Sequence, residues 1–320
     1  ASRKEFLPAT NLSALVASLG TPRVVLVMVP AGDAVDAIVD ALVTHLGAED
    51  IIIDAGNSHY EDTQRRATSM AAHGLHYVGL GVSGGEDGAR HGPSMMFGGA
   101  EPAWKILQEP LARIAAQSEH GACITRVGPA PAGHFVKMLH NGIEYADMQL
   151  IAETYDLLLR GRHLAPDVIA ERFARWNTGP LQSFLIELTA RVLKHTDAAT
   201  GTPLVSQILD KAGQKGTGRW SIDAALRLGI AVPTIGAAVD ARLLSAHKAL
   251  RQQHAAQYAM TPAVLELTDE ELEGALLAAK LFAYAQGFQL LAAASEEFGW
   301  SLDLAAIARV WTGGCIIRAA

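Results

Sequence analysis

Cysteine is scarce in this sequence of 320 residues: there are only two, Cys123 and Cys315, and they lie far apart. We therefore expect neither a disulfide framework nor a zinc site, and we predict no other metal site. Basic residues are also outnumbered, 26 against 33 acidic ones, so the net charge is −7. This balance argues against a nucleic-acid partner, which normally meets an excess of positive charge. An anionic small molecule can still bind where cations gather.

The sequence also lacks an apolar leader segment near Ala1 and long uninterrupted apolar runs. Its two most apolar stretches, 135–159 and 276–294, are interrupted by residues such as Lys137 and Lys280. We therefore expect buried helices, no membrane span and a cytoplasmic protein. Half of the residues are hydrophobic and only 18% are charged, which is enough for one large or two ordinary cores.

Strands and helices alternate in the first part of the sequence. Residues 23–30 are nearly all apolar, as is typical of a parallel strand buried on both faces. Strands are predicted at 23–30, 50–54, 75–80 and 122–127, and helices at 34–46, 60–73 and 101–117. This alternation predicts a doubly wound α/β sheet. About twenty residues precede the first strand, so we expect the chain to begin inside a domain.

Strand patterns stop after Pro129 and Pro131, and only helical patterns follow. The predicted helices are 133–159, 166–176, 181–194, 217–228, 234–257 and 269–298. We therefore predict an α/β domain over residues 1–130 and an all-α domain over residues 131–320. No repeat of fixed period is present, so a solenoid is not expected.

Residues 79–84 fit the pattern G-x-G-x-x-G, which can mark a pyrophosphate-binding turn. Such a turn needs a helix whose first amides face the phosphates. Here Glu86 and Asp87 place two carboxylates at that point. We therefore reject this function for the pattern and predict a flexible glycine turn near the carboxyl ends of the strands, where open sheets bind ligands.

The strongest candidate site lies on the predicted helix 133–159. Four polar side chains lie three, four and seven residues apart and share one face of it: Lys137, His140, Asn141 and Glu144. A solvated polar face is the alternative explanation, because such faces are common on surface helices. The surrounding residues are mostly apolar, however, and buried charges are rarely kept without a partner or a function. We therefore favour a functional site.

Five segments resemble, in order and spacing, the signatures of 6-phosphogluconate dehydrogenases. They are Asp54–Ser58 (DAGNS), Gly81–Gly85 (GVSGG), Gly133–Tyr145 (GHFVKMLHNGIEY), Ala212–Gly218 (AGQKGTG) and Gly313–Arg318 (GGCIIR). The third and fourth segments are very specific together, and the resemblance covers essentially the whole sequence. It implies a partial Rossmann-like domain followed by the family's large helical domain.

The resemblance also implies a reaction, the oxidation of 6-phosphogluconate at C3, loss of carbon dioxide, and protonation of the enediol to ribulose 5-phosphate. Lys137 matches the family's general base, which later returns the proton as an acid. Glu144 matches the acid that protonates C1 of the enediol. Two groups in distinct environments are the usual solution for successive proton transfers.

Further residues match the family's binding positions. Those expected at the substrate carboxylate and hydroxyls are Ser83, Gly84, Gly85, His140 and Asn141. Those expected at the phosphate are Tyr145, Lys215, Thr217 and Arg242. Asn57 matches a residue near the nicotinamide ribose, and Val29 lies at the cofactor edge. Many family members carry a lysine after this strand, where the present chain has Val29-Pro30, so the cofactor contact there is expected to differ.

The family's first strand and true glycine turn would lie upstream of Ala1. We expect NADP as the cofactor, with NAD left open because the residues that select between them lie in that region. The resemblance further implies a homodimer for the full-length enzyme, whose tail completes the partner's phosphate site. We expect residues 1–320 alone to be inactive or nearly so.

Two alternatives remain open on the sequence alone. A related β-hydroxyacid dehydrogenase shares the catalytic lysine and an asparagine four residues later, as Lys137 and Asn141 do. Glu144, Tyr145 and the glycine-rich loop 213–218 favour the sugar-phosphate enzyme. A non-catalytic homologue that retains the fold is the other alternative, and the retained lysine and glutamate argue against it.

Overall fold

The computed structural model describes residues 7–214, 216–258 and 266–319. Its first part contains a five-stranded sheet and a two-stranded hairpin. The sheet consists of β1 (Val24–Val27), β2 (Ile51–Asp54), β3 (His76–Ser83), β4 (Ser94–Gly98) and β7 (Ile124–Gly128), and the hairpin of β5 (Gln117–Ser118) and β6 (Gly121–Ala122).

The strand order in the sheet is β1-β2-β3-β4-β7. The first three strands are parallel, β4 is antiparallel to β3, and β7 is parallel to β4. The sequence analysis does not predict β4, because its apolar run between Pro93 and Gly98 is too short to show a period. The sheet is therefore mixed, and the predicted α/β class is confirmed.

Strand β2 is buried on both faces, as the apolar pattern predicts. Ile51 and Ile53 pack on one side of the sheet, in a cluster that includes Leu107. Ile52 packs on the other side, in a cluster that includes Val39. Alternation along a strand directs successive side chains to opposite faces, so both faces need a helical cover. The helices of this part are α1 (Leu12–Ala17), α2 (Asp33–Val43), α3 (Tyr60–Ala71), α4 (Gly85–His91) and α5 (Glu101–Ile114).

The second part of the described chain is helical, as predicted. It comprises α6 (Ala130–Asp156) with a π-helical end at Leu157–Gly161, α7 (Pro166–Trp176), α8 (Phe184–Lys194), α9 (Thr217–Arg227), α10 (Pro233–Ala246), α11 (Lys248–Ala255), α12 (Asp269–Glu297) and α13 (Leu304–Val310). The single helix expected at 234–257 is interrupted at His247. Arg251 donates hydrogen bonds to the carbonyl oxygens of Ser245 and Asp210. At the end of α10, the Ser245 carbonyl oxygen therefore accepts from a side chain instead of from the backbone amide of a further helical turn.

The chain forms two compact units. The first extends to Met138 and also includes Phe298–Gly314, while the second contains Leu139–Glu297 and the residues from Cys315 onward. Helix α6 is shared between them. The secondary structure changes from strands to helices at residue 130, whereas the division between the two compact units falls inside α6, after Met138. The division into domains 1–130 and 131–320 stays a prediction.

The returning segment 298–314 makes specific contacts in the first unit. Ser94 Oγ donates a hydrogen bond to the carbonyl oxygen of Val310 at 2.6 Å, and its amide donates to that of Gly314 at 3.0 Å. The Arg309 guanidinium donates to the carbonyl oxygens of Ala122 and Ile124. These bonds attach residues from the end of the chain to β4 and to the residues before and in β7.

Helix α12 is long and apolar enough, among the described helices, to pass a length-and-composition test for a membrane span. Core helices of globular proteins pass the same test, and Leu276 and Leu290 are buried here. The same helix carries Lys280, whose Nζ donates to both carboxylate oxygens of Asp147 in α6 at 2.6 and 2.7 Å. Both side chains of this ion pair are buried.

Candidate active site

Helix α6 approaches strand β3 closely because glycines line the contact. A methyl group at Gly81 would lie 2.6 Å from Cβ of Lys137 and 2.7 Å from the carbonyl oxygen of Gly133. A methyl group at Gly79 would lie 2.4 Å from the carbonyl oxygen of Ala130. Such distances are shorter than packed atoms allow, so the two strand glycines set how near Lys137 lies to the sheet.

These glycines also explain the G-x-G-x-x-G pattern. Gly79 and Gly81 lie inside β3, where they allow the helix to approach. The predicted flexible turn is wrong, because α4 begins at Gly85 directly after the strand, with Glu86 and Asp87 in its first turn. These two carboxylates interact favourably with the partial positive charge at the N-terminus of that short helix. The pattern therefore reflects packing.

Ser83 and Gly84 lie where β3 ends. Gly84 has a φ of 124°, which only glycine adopts readily, and a methyl group there would lie 2.4 Å from the carbonyl oxygen of Gly314. Gly85, next to it, is exposed. The junction between β3 and α4 is thus covered at Gly84 by the returning segment and exposed at Gly85.

Lys137 and Ser83 lie on the same side of β3. Lys137 contacts Gly81, and residues two apart in a strand face the same way. Both side chains are nearly inaccessible, at 6% and 3% exposure. The first unit therefore brings together the predicted base and one predicted ligand of the substrate.

Val29 and Asn57 follow the carboxyl ends of the parallel neighbours β1 and β2. A methyl group at Gly56 would lie 3.2 Å from the carbonyl oxygen of Val29, so the two loops touch. The Asn57 side chain is exposed. Two predicted cofactor residues thus lie at the sheet edge where open α/β sheets bind ligands.

A buried polar network fixes the turn after β2. The Asp54 carboxylate accepts hydrogen bonds from Ser58 Oγ at 2.7 Å, Tyr77 Oη at 3.0 Å and the Gly56 amide at 3.2 Å. Arg66 Nη1 lies 3.6 Å from it. Burial, followed by the Asp54 charge, raises the pKa of Tyr77 far above its usual range. The sequence analysis missed this network, although a carboxylate at the end of an apolar strand was an available signal.

In the second unit, α6 presents the predicted acid. Glu144 Oε2 accepts a hydrogen bond from Asn141 Nδ2 at 2.9 Å and lies 3.7 Å from Nδ1 of His140. His140 is fully buried, and the Glu144 side chain retains 17% exposure. The expected helix face is therefore formed, and the carboxylate is held between an amide and an imidazole.

Three of the four residues expected at the phosphate lie together. The Arg242 guanidinium covers the ring of Tyr145, with Cζ 3.8 Å from the ring centroid, and its Nη1 donates to the carbonyl oxygen of Gly213 at 2.8 Å. A methyl group at Gly218 would lie 2.7 Å from Cε2 of Tyr145. Gly218 therefore packs against this ring, and Thr217, the first residue of α9, directly precedes it.

Lys215, the fourth expected residue, lies outside the described residues. The chain just before it is anchored to α10 and α11. The Ala212 amide donates to Ser245 Oγ at 2.9 Å, and Asp210 accepts from Lys248 and Arg251. These contacts hold the start of the glycine-rich loop near Arg242.

An α/β domain with predicted cofactor residues after its strands, followed by helices of which the first carries a buried lysine, is typical of a dinucleotide-dependent dehydrogenase. Residues 1–128 match the family model "NAD binding domain of 6-phosphogluconate dehydrogenase". Residues 133–320 match "6-phosphogluconate dehydrogenase, C-terminal domain". The chain belongs to the 6-phosphogluconate dehydrogenase family and is an oxidoreductase with a Rossmann-like domain.

Relatives with this name are similar along the chain. The 6-phosphogluconate dehydrogenase, decarboxylating, of Synechococcus elongatus is 49% identical over 100% of this chain and 69% of its own length. The NADP(+)-dependent enzyme of Bacillus subtilis is 47% identical with the same coverage. A chloroplastic enzyme of rice is 50% identical over 95% of this chain and 62% of its own. The present chain thus spans about two thirds of their length.

A solved structure agrees with these sequence relationships. The 6-phosphogluconate dehydrogenase of Plasmodium falciparum, studied alone and with NADP+ or 6-phosphogluconate, superimposes with a TM-score of 0.93 at 41% identity. The match covers 97% of this chain and 68% of that one. The 3-hydroxyisobutyrate dehydrogenase of Mycobacterium tuberculosis gives a TM-score of 0.51 at 19% identity. That likeness concerns the fold alone.

Proposed function

We propose that the protein catalyses the oxidative decarboxylation of 6-phosphogluconate to ribulose 5-phosphate with NADP as the oxidant. One observation carries this proposal: a single helix holds a buried lysine and, seven residues later, a hydrogen-bonded carboxylate, Lys137 and Glu144. A reaction with an oxidation, a decarboxylation and a carbon protonation needs two groups for proton transfer. A simple β-hydroxyacid oxidation does not need the second.

In the proposed mechanism, the Lys137 amine accepts the proton of the C3 hydroxyl while hydride leaves C3. Burial disfavours the charged form of an amine, which suits a group that must accept a proton. The resulting ammonium returns the proton to the C3 oxygen as the C1–C2 bond breaks, carbon dioxide leaves, and the electron pair forms the C2=C3 bond of the enediol. Glu144, as the acid, then protonates the carbon that becomes C1 of ribulose 5-phosphate.

Bound NADP would supply the hydride acceptor. Val29 and Asn57 fit its nicotinamide end, because they lie on touching loops at the ligand-binding edge of the sheet. The pyrophosphate does not fit the start of α2, whose first turn carries Asp33 and Asp36. The name of the Bacillus subtilis relative and the NADP+ complex of the Plasmodium falciparum enzyme support NADP over NAD.

Substrate contacts are proposed for each unit separately. In the first unit, Ser83, Gly84 and Gly85 would bind carboxylate and hydroxyl oxygens. In the second, His140 and Asn141 would bind hydroxyls, and the phosphate would be held by Tyr145, Lys215, Thr217 and Arg242. The Tyr145 ring and the Gly213 carbonyl oxygen hold the Arg242 guanidinium in place, and a planar guanidinium suits a phosphate in a protein of negative net charge.

The phosphate assignment predicts a selective loss of affinity. Arg242→Gln should weaken 6-phosphogluconate binding by about 10- to 100-fold, since hydrogen bonds to charged groups contribute about 1.5–3 kcal/mol. Gluconate, which lacks the phosphate, should bind weakly to both proteins and with equal affinity. Titration calorimetry measures all four combinations. Arg191→Gln, a change at an exposed arginine of α8, is the matched control, and equal losses for both ligands would contradict the assignment.

We further propose that the full-length enzyme is a homodimer. Large apolar side chains are exposed on neighbouring helices of the second unit: Leu281 and Phe282 on α12 at 62% and 66%, and Leu244 on α10 at 64%. Exposed apolar patches of this kind mark association surfaces. Light scattering over a range of concentrations should give twice the chain mass, and Phe282→Asp should give the single mass. A monomeric unaltered protein would contradict the proposal.

We also propose a cytoplasmic location. Cys123 and Cys315 are buried thiols, which suits a reducing compartment.

A further inference from the structure

His134 lies one helical turn before Lys137 on α6 and has no role in the proposed chemistry. Its side chain is 2% exposed. Nδ1 lies 2.6 Å from Thr63 Oγ1, and Nε2 lies 3.1 Å from the carbonyl oxygen of Asp54. One imidazole thus connects three elements of the first unit: the base-carrying helix, helix α3 and the end of strand β2.

These contacts determine which ring nitrogen carries the proton. A carbonyl oxygen can only accept, so Nε2 of His134 must donate to Asp54. Burial is the main cause that lowers the pKa of His134, so the ring is neutral and Nδ1 is an acceptor. The Thr63 hydroxyl must then donate its hydrogen bond to Nδ1 of His134. The hydroxyl also lies 3.1 Å from the His59 carbonyl oxygen, but Nδ1 is nearer.

His134 binds the carbonyl group of Asp54, the residue after which the turn that carries Asn57 begins. Asp54 is the last residue of β2, and its carboxylate is itself bonded to Ser58 and Tyr77. Asn57 lies between Asp54 and Ser58, so its position follows from these bonds. The imidazole therefore links the turn that presents Asn57 to the helix that presents the predicted base.

The packing around the ring leaves little room for adjustment. A methyl group at Gly79 would lie 3.0 Å from His134 Nδ1 and 2.9 Å from Cγ2 of Thr63. A methyl group at Gly133 would lie 1.9 Å from the carbonyl oxygen of Gly79. Because the His134 ring is bonded at both nitrogens and packed this tightly, it fixes the distance between helix α6 and the end of strand β2.

We propose that His134 is a positioning residue that sets the distance between the nicotinamide, held at the Asn57 loop, and the substrate carbon served by Lys137. The inference rests on the function proposed above. Hydride transfer requires the two carbons at near-contact distance, and a misplacement of about 1 Å can cost about a hundredfold in rate. Neither Lys137 nor Asn57 needs to touch the imidazole for this effect.

The test uses four variants of the protein, expressed with whatever flanking sequence its gene encodes. His134→Leu removes both hydrogen bonds, while His134→Gln retains a donor and an acceptor. Thr63→Val removes one bond with almost no change of shape. Thr68→Val, on the exposed side of the same helix, is the matched control. Each is assayed with ordinary and C3-deuterated 6-phosphogluconate, and NADP binding is measured by calorimetry.

His134→Leu should lower kcat by about 10- to 100-fold, with KM for 6-phosphogluconate within about threefold of the unaltered value. The deuterium isotope effect on kcat should rise, because hydride transfer becomes slower relative to the other steps, and NADP should bind several-fold more weakly. Thr63→Val should change the same quantities in the same direction by less. His134→Gln should recover part of the rate, and Thr68→Val should match the unaltered protein.

If His134→Leu does not fold, Thr63→Val and His134→Gln still decide the question. An unchanged isotope effect and unchanged NADP affinity in these variants overturn the inference, even where the melting temperature falls, because that combination indicates a purely structural role. An unaltered protein that does not oxidise 6-phosphogluconate refutes the proposed function instead. In that case, nitrogen NMR of His134 still tests the hydrogen-bond network. A protonated Nε2 and an unprotonated Nδ1 from pH 6 to 8 support the network, and any other tautomer contradicts it.

Discussion

In the enzyme expressed with the flanking sequence that its gene encodes, Lys137→Met is expected to lower both the reduction of NADP and the release of carbon dioxide by at least about 10² to 10⁴ in rate. Methionine fills a similar volume, so the packing of α6 against Gly81 should be preserved. The amine is lost as base in the oxidation and as acid in the decarboxylation, so both products should fall together. Stopped assays of reduced cofactor and of carbon dioxide measure the two steps separately.

Glu144→Gln provides the contrast. It should spare the oxidation and slow the enediol protonation, so reduced cofactor should form faster than ribulose 5-phosphate. Lys105→Met, at an exposed position of α5, is the matched control and should keep full activity. Near-normal turnover by Lys137→Met would refute its assignment as the base.

Lys280→Met is expected to lower the free energy of unfolding by about 3–5 kcal/mol. The change leaves the Asp147 carboxylate buried without the ammonium that donates to both of its oxygens. Chemical denaturation at neutral pH measures the loss. The double variant Lys280→Met/Asp147→Leu should recover most of it, because an apolar pair in place of a buried ion pair is often neutral.

The same variant should depend on pH in a defined direction. Burial raises the pKa of Asp147 above its ordinary value, and removal of the lysine should raise it further. A raised pKa means that the folded state binds more protons than the unfolded state, so stability increases as pH falls. Relative to the unaltered protein, Lys280→Met should therefore regain stability as the pH falls from 7 toward the ordinary pKa of an aspartate. Lys248→Met, which breaks an exposed pair, should change stability little at any pH, and an equal loss in both variants would contradict the argument.

The sequence predicted those features that depend on local pattern. Continuous apolar runs identify β1 and β2 as strands, but of the two only β2 is covered on both faces. The expected burial of β1 on both faces is wrong, because β1 is the edge strand of the described sheet and Leu26 is 49% exposed. Helix α6 and its polar face follow from steps of three, four and seven residues, so the spacing alone predicts that Lys137, His140, Asn141 and Glu144 share one helix.

Features that depend on distant partners could not be predicted. Lys280 and Asp147 lie 133 residues apart, and no periodic pattern links them. Gly79 and Gly81 resemble a nucleotide fingerprint in sequence, yet only the closeness of α6 reveals their role. The contacts of His134 belong to the same class, since a buried histidine on an apolar helix gives no indication of what its two nitrogens meet.

The return of segment 298–314 to the first unit has a consequence for synthesis. Ser94 finds its acceptors, the carbonyl groups of Val310 and Gly314, only after the ribosome has made the 159 residues of Leu139–Glu297 (297 − 139 + 1). At about 5–20 residues per second, this takes roughly 8 to 32 s. During that interval the five described strands of the sheet have been made, but segment 298–314 has not. The hydrogen bonds between β4 and this segment can therefore form only after the intervening helices have been translated.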